Sequence, residues 1–143
     1  MRFLIYRLPA LAYMGLIFFS SSRPMEGELA KAAPDWILHA LAYLVLYLLV
    51  FWAIHEGIRP RPGRGAYLGA LLITVLYGAT DEYHQSYVPA RDASMLDLLA
   101  DAIGGAIAAL LVRLHVKSRM PKDRHAPARK AARNRRISEN SRR

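Results

Sequence analysis

The 143-residue chain contains no cysteine. Disulfide scaffolds, thiol catalysis and Cys-ligated zinc are therefore excluded, while the redox compartment is left open. A Gly-rich phosphate loop, an HExxH helix and a G-x-S-x-G elbow are all absent. No internal repeat and no alternation of the kind a barrel strand needs is present. The first 112 residues also lack net charge, with 8 bases against 9 acids. Residues 113–143 hold 12 of the 20 Lys and Arg and 2 of the 11 acids, so the overall +9 belongs to one tail.

What the chain does have is apolar length. A helix needs about 20 mostly apolar residues to cross a bilayer core. Four stretches meet that need: 3–19, broken by Arg7; 36–54, broken by His39; 66–80, which ends in polar residues; and 95–112, broken by Asp97 and Asp101. The expected fold is an all-α membrane domain over 1–115, with four transmembrane helices at about 3–20, 36–55, 66–84 and 95–113. No small-x-small cleavage site follows the first run, which favours a retained helix over a signal peptide.

Bases set the expected orientation. Arg2 and Arg7 flank the first helix, Arg59, Arg61 and Arg64 crowd the connection between the second and third, and Arg113, Lys117 and Arg119 follow the fourth. The other two connections carry Arg23 and Lys31, and Arg91 alone. The positive-inside rule then places both termini of a multi-pass membrane protein in the cytoplasm. Residues 116–143 have too little apolar surface to fold and read as a disordered cytoplasmic tail drawn to anionic lipids. That tail has no aromatic residue for base stacking, so nucleic acid is not an expected partner.

Ionisable residues of the spans collect at one level. Asp35, His39 and Tyr43 form an i, i+4, i+8 stripe at the outer start of the second helix. The third helix ends in Asp81-Glu82-Tyr83-His84-Gln85, and the fourth begins after Arg91 with Asp97 and Asp101 on one face. An Asp facing lipid at mid-span costs about 2.5–3.5 kcal/mol, so Asp97 and Asp101 should face inward and meet His39, Arg91 or His84. Plainer roles exist for several members. Ser94-Met95-Leu96-Asp97 matches a capping box, Asp35 could cap its helix, and Glu82 could be a solvated loop charge. Gly104 and Gly105, with Ala100 and Ala108 around them, suit close helix packing.

These segments resemble the VanZ-like family of small bacterial membrane proteins. The resemblance rests on Phe18-Phe19-Ser20-Ser21-Ser22-Arg23-Pro24, on Asp35-x-x-x-His39-x-x-x-Tyr43, on Asp81-Glu82-Tyr83-His84-Gln85-Ser86-Tyr87-Val88-Pro89-Ala90-Arg91, and on Ser94-x-x-Asp97-x-x-x-Asp101-x-x-Gly104. It covers roughly residues 1–112. Asp101 stands where the family pattern leads one to expect Asn, and Asp92 where Ser or Thr is more usual. The resemblance implies an association with resistance to the glycopeptide antibiotic teicoplanin, which targets cell-wall precursors outside the membrane. It implies no established reaction.

Three functions compete. In the first, an outward-facing site acts in cell-envelope chemistry on a lipid-linked cell-wall precursor or another phosphate-bearing ligand. Arg91 would grip the anion, and His39 or His84 would move protons, positioned by Asp81, Glu82 or Asp35. Asp35, Tyr43, Gln85, Asp97 and Asp101 would complete the ligand site. These carboxylates and imidazoles could hold a divalent metal, but no spacing among them is diagnostic, so the cofactor is left unassigned. In the second, the cluster is a non-enzymatic network that binds a partner or fixes helix packing. The third is a small proton-coupled transporter, against which stands the lack of ionisable residues in the inner halves of the spans. A homo-oligomer through the small-residue face of the fourth helix would enlarge so narrow a bundle.

Overall fold

The computed structural model describes residues 2–23, 33–56, 62–89, 91 and 93–119. Four helices make up these residues: α1 (Arg2–Ser21), α2 (Asp35–His55), α3 (Arg64–Gln85) and α4 (Met95–Arg119). No strand occurs among the described residues. At about 1.5 Å per residue, helices of this length reach about 30 Å or more, the thickness of a hydrocarbon core. The expectation of a disordered tail from 116 needs a correction at its start, because α4 continues to Arg119. Residues 120–143 lie outside the described residues, and with them the rest of that expectation.

Polarity is arranged inside out. Large apolar side chains cover the exterior, among them Leu8, Leu11 and Leu16 on α1, Leu41 and Trp52 on α2, and Leu99, Ile103 and Leu110 on α4. On α3, Leu68, Leu72 and Leu76 are 55–66% exposed. The opposite stripe of that helix, Ala70, Thr74, Gly78, Asp81, Glu82 and Gln85, faces the bundle and is small or polar. A soluble helix would turn these faces round; in lipid the apolar face is the solvated one. By length and composition α1, α2 and α4 are each able to cross a membrane. The third helix falls short of that description because its last turns hold Thr80, Asp81, Glu82, His84 and Gln85.

The tightest packing joins α2 to α4. Small residues allow it: Ala100, Gly104 and Ala108 lie buried in one row on α4, as their spacing leads one to expect. A Cβ on Gly104 would overlap the backbone carbonyl of Ala40, so only glycine lets the two backbones approach this closely. The α1 helix packs chiefly on α2 and meets α3 at few points. One of these is the Tyr77 hydroxyl, which donates to the Met14 carbonyl oxygen at 2.5 Å.

The two ends of the bundle differ. Towards the end where α2 finishes and α3 begins, the core is apolar and aromatic, built from Leu46, Tyr47, Val50, Phe51, Ala70 and Ala108. Towards the other end, the core is polar.

Candidate functional site

The end of α1, the start of α2, the end of α3 and the start of α4 lie at the same end of the bundle, because successive antiparallel helices alternate direction. Side chains that the sequence separates by 60 residues or more therefore become neighbours. Asp101 is at the centre, with none of its surface accessible. His39 Nδ1 is 3.0 Å from Asp101 Oδ1 and 3.8 Å from Glu82 Oε1. The imidazole stacks on the ring of Tyr43, with centroids 6.2 Å apart and planes 5° from parallel.

Glycine makes room for this arrangement. A Cβ on Gly78 would come within 2.6 Å of Asp101 Oδ2 and 3.2 Å of the Tyr43 ring. Glu82 is equally constrained. Its Oε2 accepts a hydrogen bond from the Ser94 backbone N–H at 2.8 Å, which fixes the carboxylate and leaves Oε1 turned to His39. A capping box would have given that N–H to Asp97. The Ser94 hydroxyl does accept from the Leu96 N–H at 3.1 Å, so half of the expected cap forms and Glu82 replaces the other half. Glu82 is buried, contrary to its reading as a solvated loop charge.

A second group surrounds Asp81, which is 3% exposed. Its Oδ1 accepts from the Ser21 hydroxyl at 2.6 Å, and its Oδ2 from the Gln85 amide at 3.0 Å. A third group surrounds Arg91. Its NH1 donates to Asp35 Oδ2 at 3.2 Å and its Nε to the Arg23 carbonyl oxygen at 3.0 Å. Asp35 thus serves Arg91 and makes no side-chain cap on α2. The fourth helix places Asp97, itself buried, with Asp35 and His39 so that one ligand atom from each lies within 4.8 Å of the others.

The sequence candidates therefore fall into three sets. His39, Tyr43, Glu82, Asp97 and Asp101 cluster at the centre; Asp81 and Gln85 form a neighbouring pair; Arg91 and Asp35 bridge the rim. His84 stands apart. Its Nε2 is 3.0 Å from the Ser22 hydroxyl, and its ring lies against Phe18, so it faces α1 and not the acids. Ser21 and Ser22 belong to the site although neither was a candidate. A run of three serines at the end of an apolar helix was the available signal, and it reads first as a helix terminus.

Among the described residues, four buried atoms at this end have no hydrogen-bond partner: Asp35 Oδ1, Tyr43 OH, Glu82 Oε1 and Asp101 Oδ2. Two residue triads there could hold a cation, His39 with Glu82 and Asp101, and His39 with Asp35 and Asp97. Beside them runs a cavity of about 390 Å³ between α1 and α2. Ser21, His39, Asp81, Gln85 and Arg91 line its polar part; Leu16, Ile17, Leu38, Leu41 and Val45 line the rest. Because Leu16, Leu41 and Val45 are exposed, the apolar part of the cavity is continuous with the lipid-facing surface.

An apolar exterior, helices of bilayer length and a polar interior define a multi-pass helical membrane protein. Within that class the chain belongs to the VanZ/LLP1 family, whose model matches residues 6–116. No curated protein and no solved structure matches the chain.

Proposed function

We propose that this VanZ/LLP1 protein works at the outer face of the bacterial inner membrane, in cell-envelope chemistry that confers tolerance of teicoplanin-type glycopeptides. Its ligand is an amphipathic one, a lipid-linked precursor with an anionic head. The observation that carries this reading is the cavity between α1 and α2, polar at one end and open along an apolar flank. Sites for small ligands join mostly apolar walls to a few placed polar groups, and here the walls run out to lipid. An acyl or prenyl chain would lie along Leu38, Leu41 and Val45, and the head would meet Arg91, His39 and Ser21. For the head to gain both donors of Arg91, the guanidinium must exchange Asp35 for the ligand.

Four spans with both termini cytoplasmic put the cavity on that side. The apolar outer face of α3 supports counting it as the fourth span, and the bases near Arg64, Arg113 and Lys117 support the orientation. The basic tail would then meet anionic lipid on the cytoplasmic leaflet. A non-enzymatic role draws on a specific observation of its own: both oxygens of Asp81 are satisfied within the protein, as a packing network requires. Proton-coupled transport has less support, since among the described residues the core at the opposite end contains no buried carboxylate, and His55 at the end of α2 is its buried titratable group.

The test measures glycopeptide tolerance in cells producing the chain, with its level in the membrane recorded alongside. Wild type should raise the tolerated concentration severalfold. Arg91→Ala and Leu41→Trp, the second blocking the apolar flank, should abolish that rise at unchanged membrane level. Unchanged tolerance in both variants would leave only the packing role.

A further inference from the structure

We infer that His39, Glu82 and Asp101 form a binding site for one divalent transition-metal ion, of the Zn²⁺ or Mn²⁺ type. The three residues come from α2, α3 and α4, all are buried, and each offers a ligand atom within 4.8 Å of the other two. The donor set of one imidazole and two carboxylates suits these ions better than the all-oxygen cages preferred by Ca²⁺ and Mg²⁺.

Unsatisfied atoms point to the ion. Glu82 Oε1 and Asp101 Oδ2 are buried without a hydrogen-bond partner, although their residues are 7% and 0% exposed. A carboxylate oxygen left so is costly, because it has surrendered water and gained nothing. Charge makes the case stronger. Asp97 stands nearby, so three carboxylates surround a single imidazole, and the neighbouring guanidinium of Arg91 is engaged by Asp35. A divalent cation offsets two of those charges and gives the vacant Glu82 Oε1 a partner, while Asp101 meets it through Oδ1, the oxygen turned to His39.

The distances suit it. Ligand atoms about 2.1 Å from a metal are about 3.0 Å apart at a right angle and about 3.8 Å apart near 130°. The His39 Nδ1 separations are 3.0 Å from Asp101 Oδ1 and 3.8 Å from Glu82 Oε1. An ion bound there would take the Nδ1 lone pair, so Nδ1 carries no proton in the loaded site and metal binding competes with that proton.

Surrounding groups hold the ligands in place, as outer-shell partners of metal sites do. The Ser94 N–H occupies Glu82 Oε2 and aims Oε1 inward. Gly78, by lacking a Cβ, leaves the space Asp101 Oδ2 occupies. Three protein ligands leave coordination positions free for water or a ligand atom. His39 also lines the cavity between α1 and α2, so the ion would adjoin that space whatever molecule enters it.

The experiment uses the full-length protein in detergent micelles, stripped with chelator, incubated with Zn²⁺ or Mn²⁺, desalted, and assayed for metal by mass spectrometry. Wild type should retain about one equivalent and melt at a higher temperature with the ion than without. Glu82→Gln and Asp101→Asn should each lower affinity about tenfold or more, and Gly78→Ala should do so without changing a ligand. Exposed Tyr83→Phe should bind as wild type does. Should the ligand variants fail to fold, Co²⁺ added to wild type decides: visible d–d bands of a nitrogen- and oxygen-ligated ion support the site. Wild type that retains no metal and shows no Co²⁺ bands would overturn the assignment, as would retention of a full equivalent by folded Glu82→Gln and Asp101→Asn. None of these readings depends on antibiotic tolerance.

Discussion

The two ends of the bundle solve the problem of burial in opposite ways. At the apolar end, Phe51 packs between Tyr47 and Tyr67, with ring centroids 6.1 and 5.0 Å away, and Leu46 and Ala108 are fully enclosed. At the polar end, the enclosed residues are Asp81, Gln85 and Asp101. Lipid is as apolar as leucine, so the apolar end gains van der Waals contact and little hydrophobic drive. The polar end gains by keeping carboxylates out of lipid, and it still leaves several oxygens unpaired. A bundle selected for stability alone would extend the first solution along its whole length. That this one does not is why the proposed function is placed at the polar end.

The α2–α4 contact beneath the polar end should give the largest effect. Gly104→Leu must push the helices apart against the Ala40 backbone and is expected to cost more than about 3 kcal/mol. Detergent melts and membrane levels should both collapse; a variant that melts like wild type would show that the close approach is not needed. At the apolar end, Phe51→Ala should lower stability by about 2–3 kcal/mol, below the roughly 3–5 kcal/mol usual for such truncations because lipid resembles the lost contacts. Glycopeptide tolerance should persist once its membrane level is matched to wild type. At the polar end, Asp81→Asn should cost only about 1–2 kcal/mol, yet remove the tolerance. If Phe51→Ala proved the functional lesion and Asp81→Asn the silent one, the division of labour between the ends would be reversed.

Much of this contrast can be read from the residues in order. Apolar runs of bilayer length separated by basic connections imply the helices, and alternating direction brings Asp35, Asp81 and Asp97 to one end before any coordinates are known. Small-residue spacing on α4 marks Gly104 correctly as a packing position. Periodicity cannot show which neighbour a side chain meets, and there the reading stops. It gave Asp97 the cap that Glu82 makes from another helix, and it grouped His84 with the acids although its position on α3 turns it to Ser22 and Phe18. Gly78 shows no local reason for being glycine; the reason is a carboxylate 23 residues away in sequence. The α3 helix also mixes an apolar face with a polar terminus, so composition describes it less well than its packing does.

Ser21 offers the finest test, because it lies where the polar end is joined to α1. That helix packs chiefly on α2, and among the described residues its links to α3 are the Tyr77 hydroxyl on the Met14 carbonyl oxygen, the Ser21 hydroxyl on Asp81 and, just past its end, Ser22 beside His84. Ser21→Ala leaves Asp81 Oδ1 buried without its donor and should cost about 1 kcal/mol. Ser22→Ala, beside a half-exposed imidazole that water can reach, should cost less than about 0.5 kcal/mol. A double-mutant cycle of Ser21→Ala with Asp81→Asn isolates the pair, and a coupling of about 0.5–1 kcal/mol is expected. Because the same link lines the cavity, breaking it should loosen α1 over the cavity as well as weaken the fold. Hydrogen exchange in the last turn of α1 should then rise in Ser21→Ala and stay unchanged in Ser22→Ala. Equal exchange in the two would mean that α1 is held by its apolar face on α2, and that the polar end closes without it.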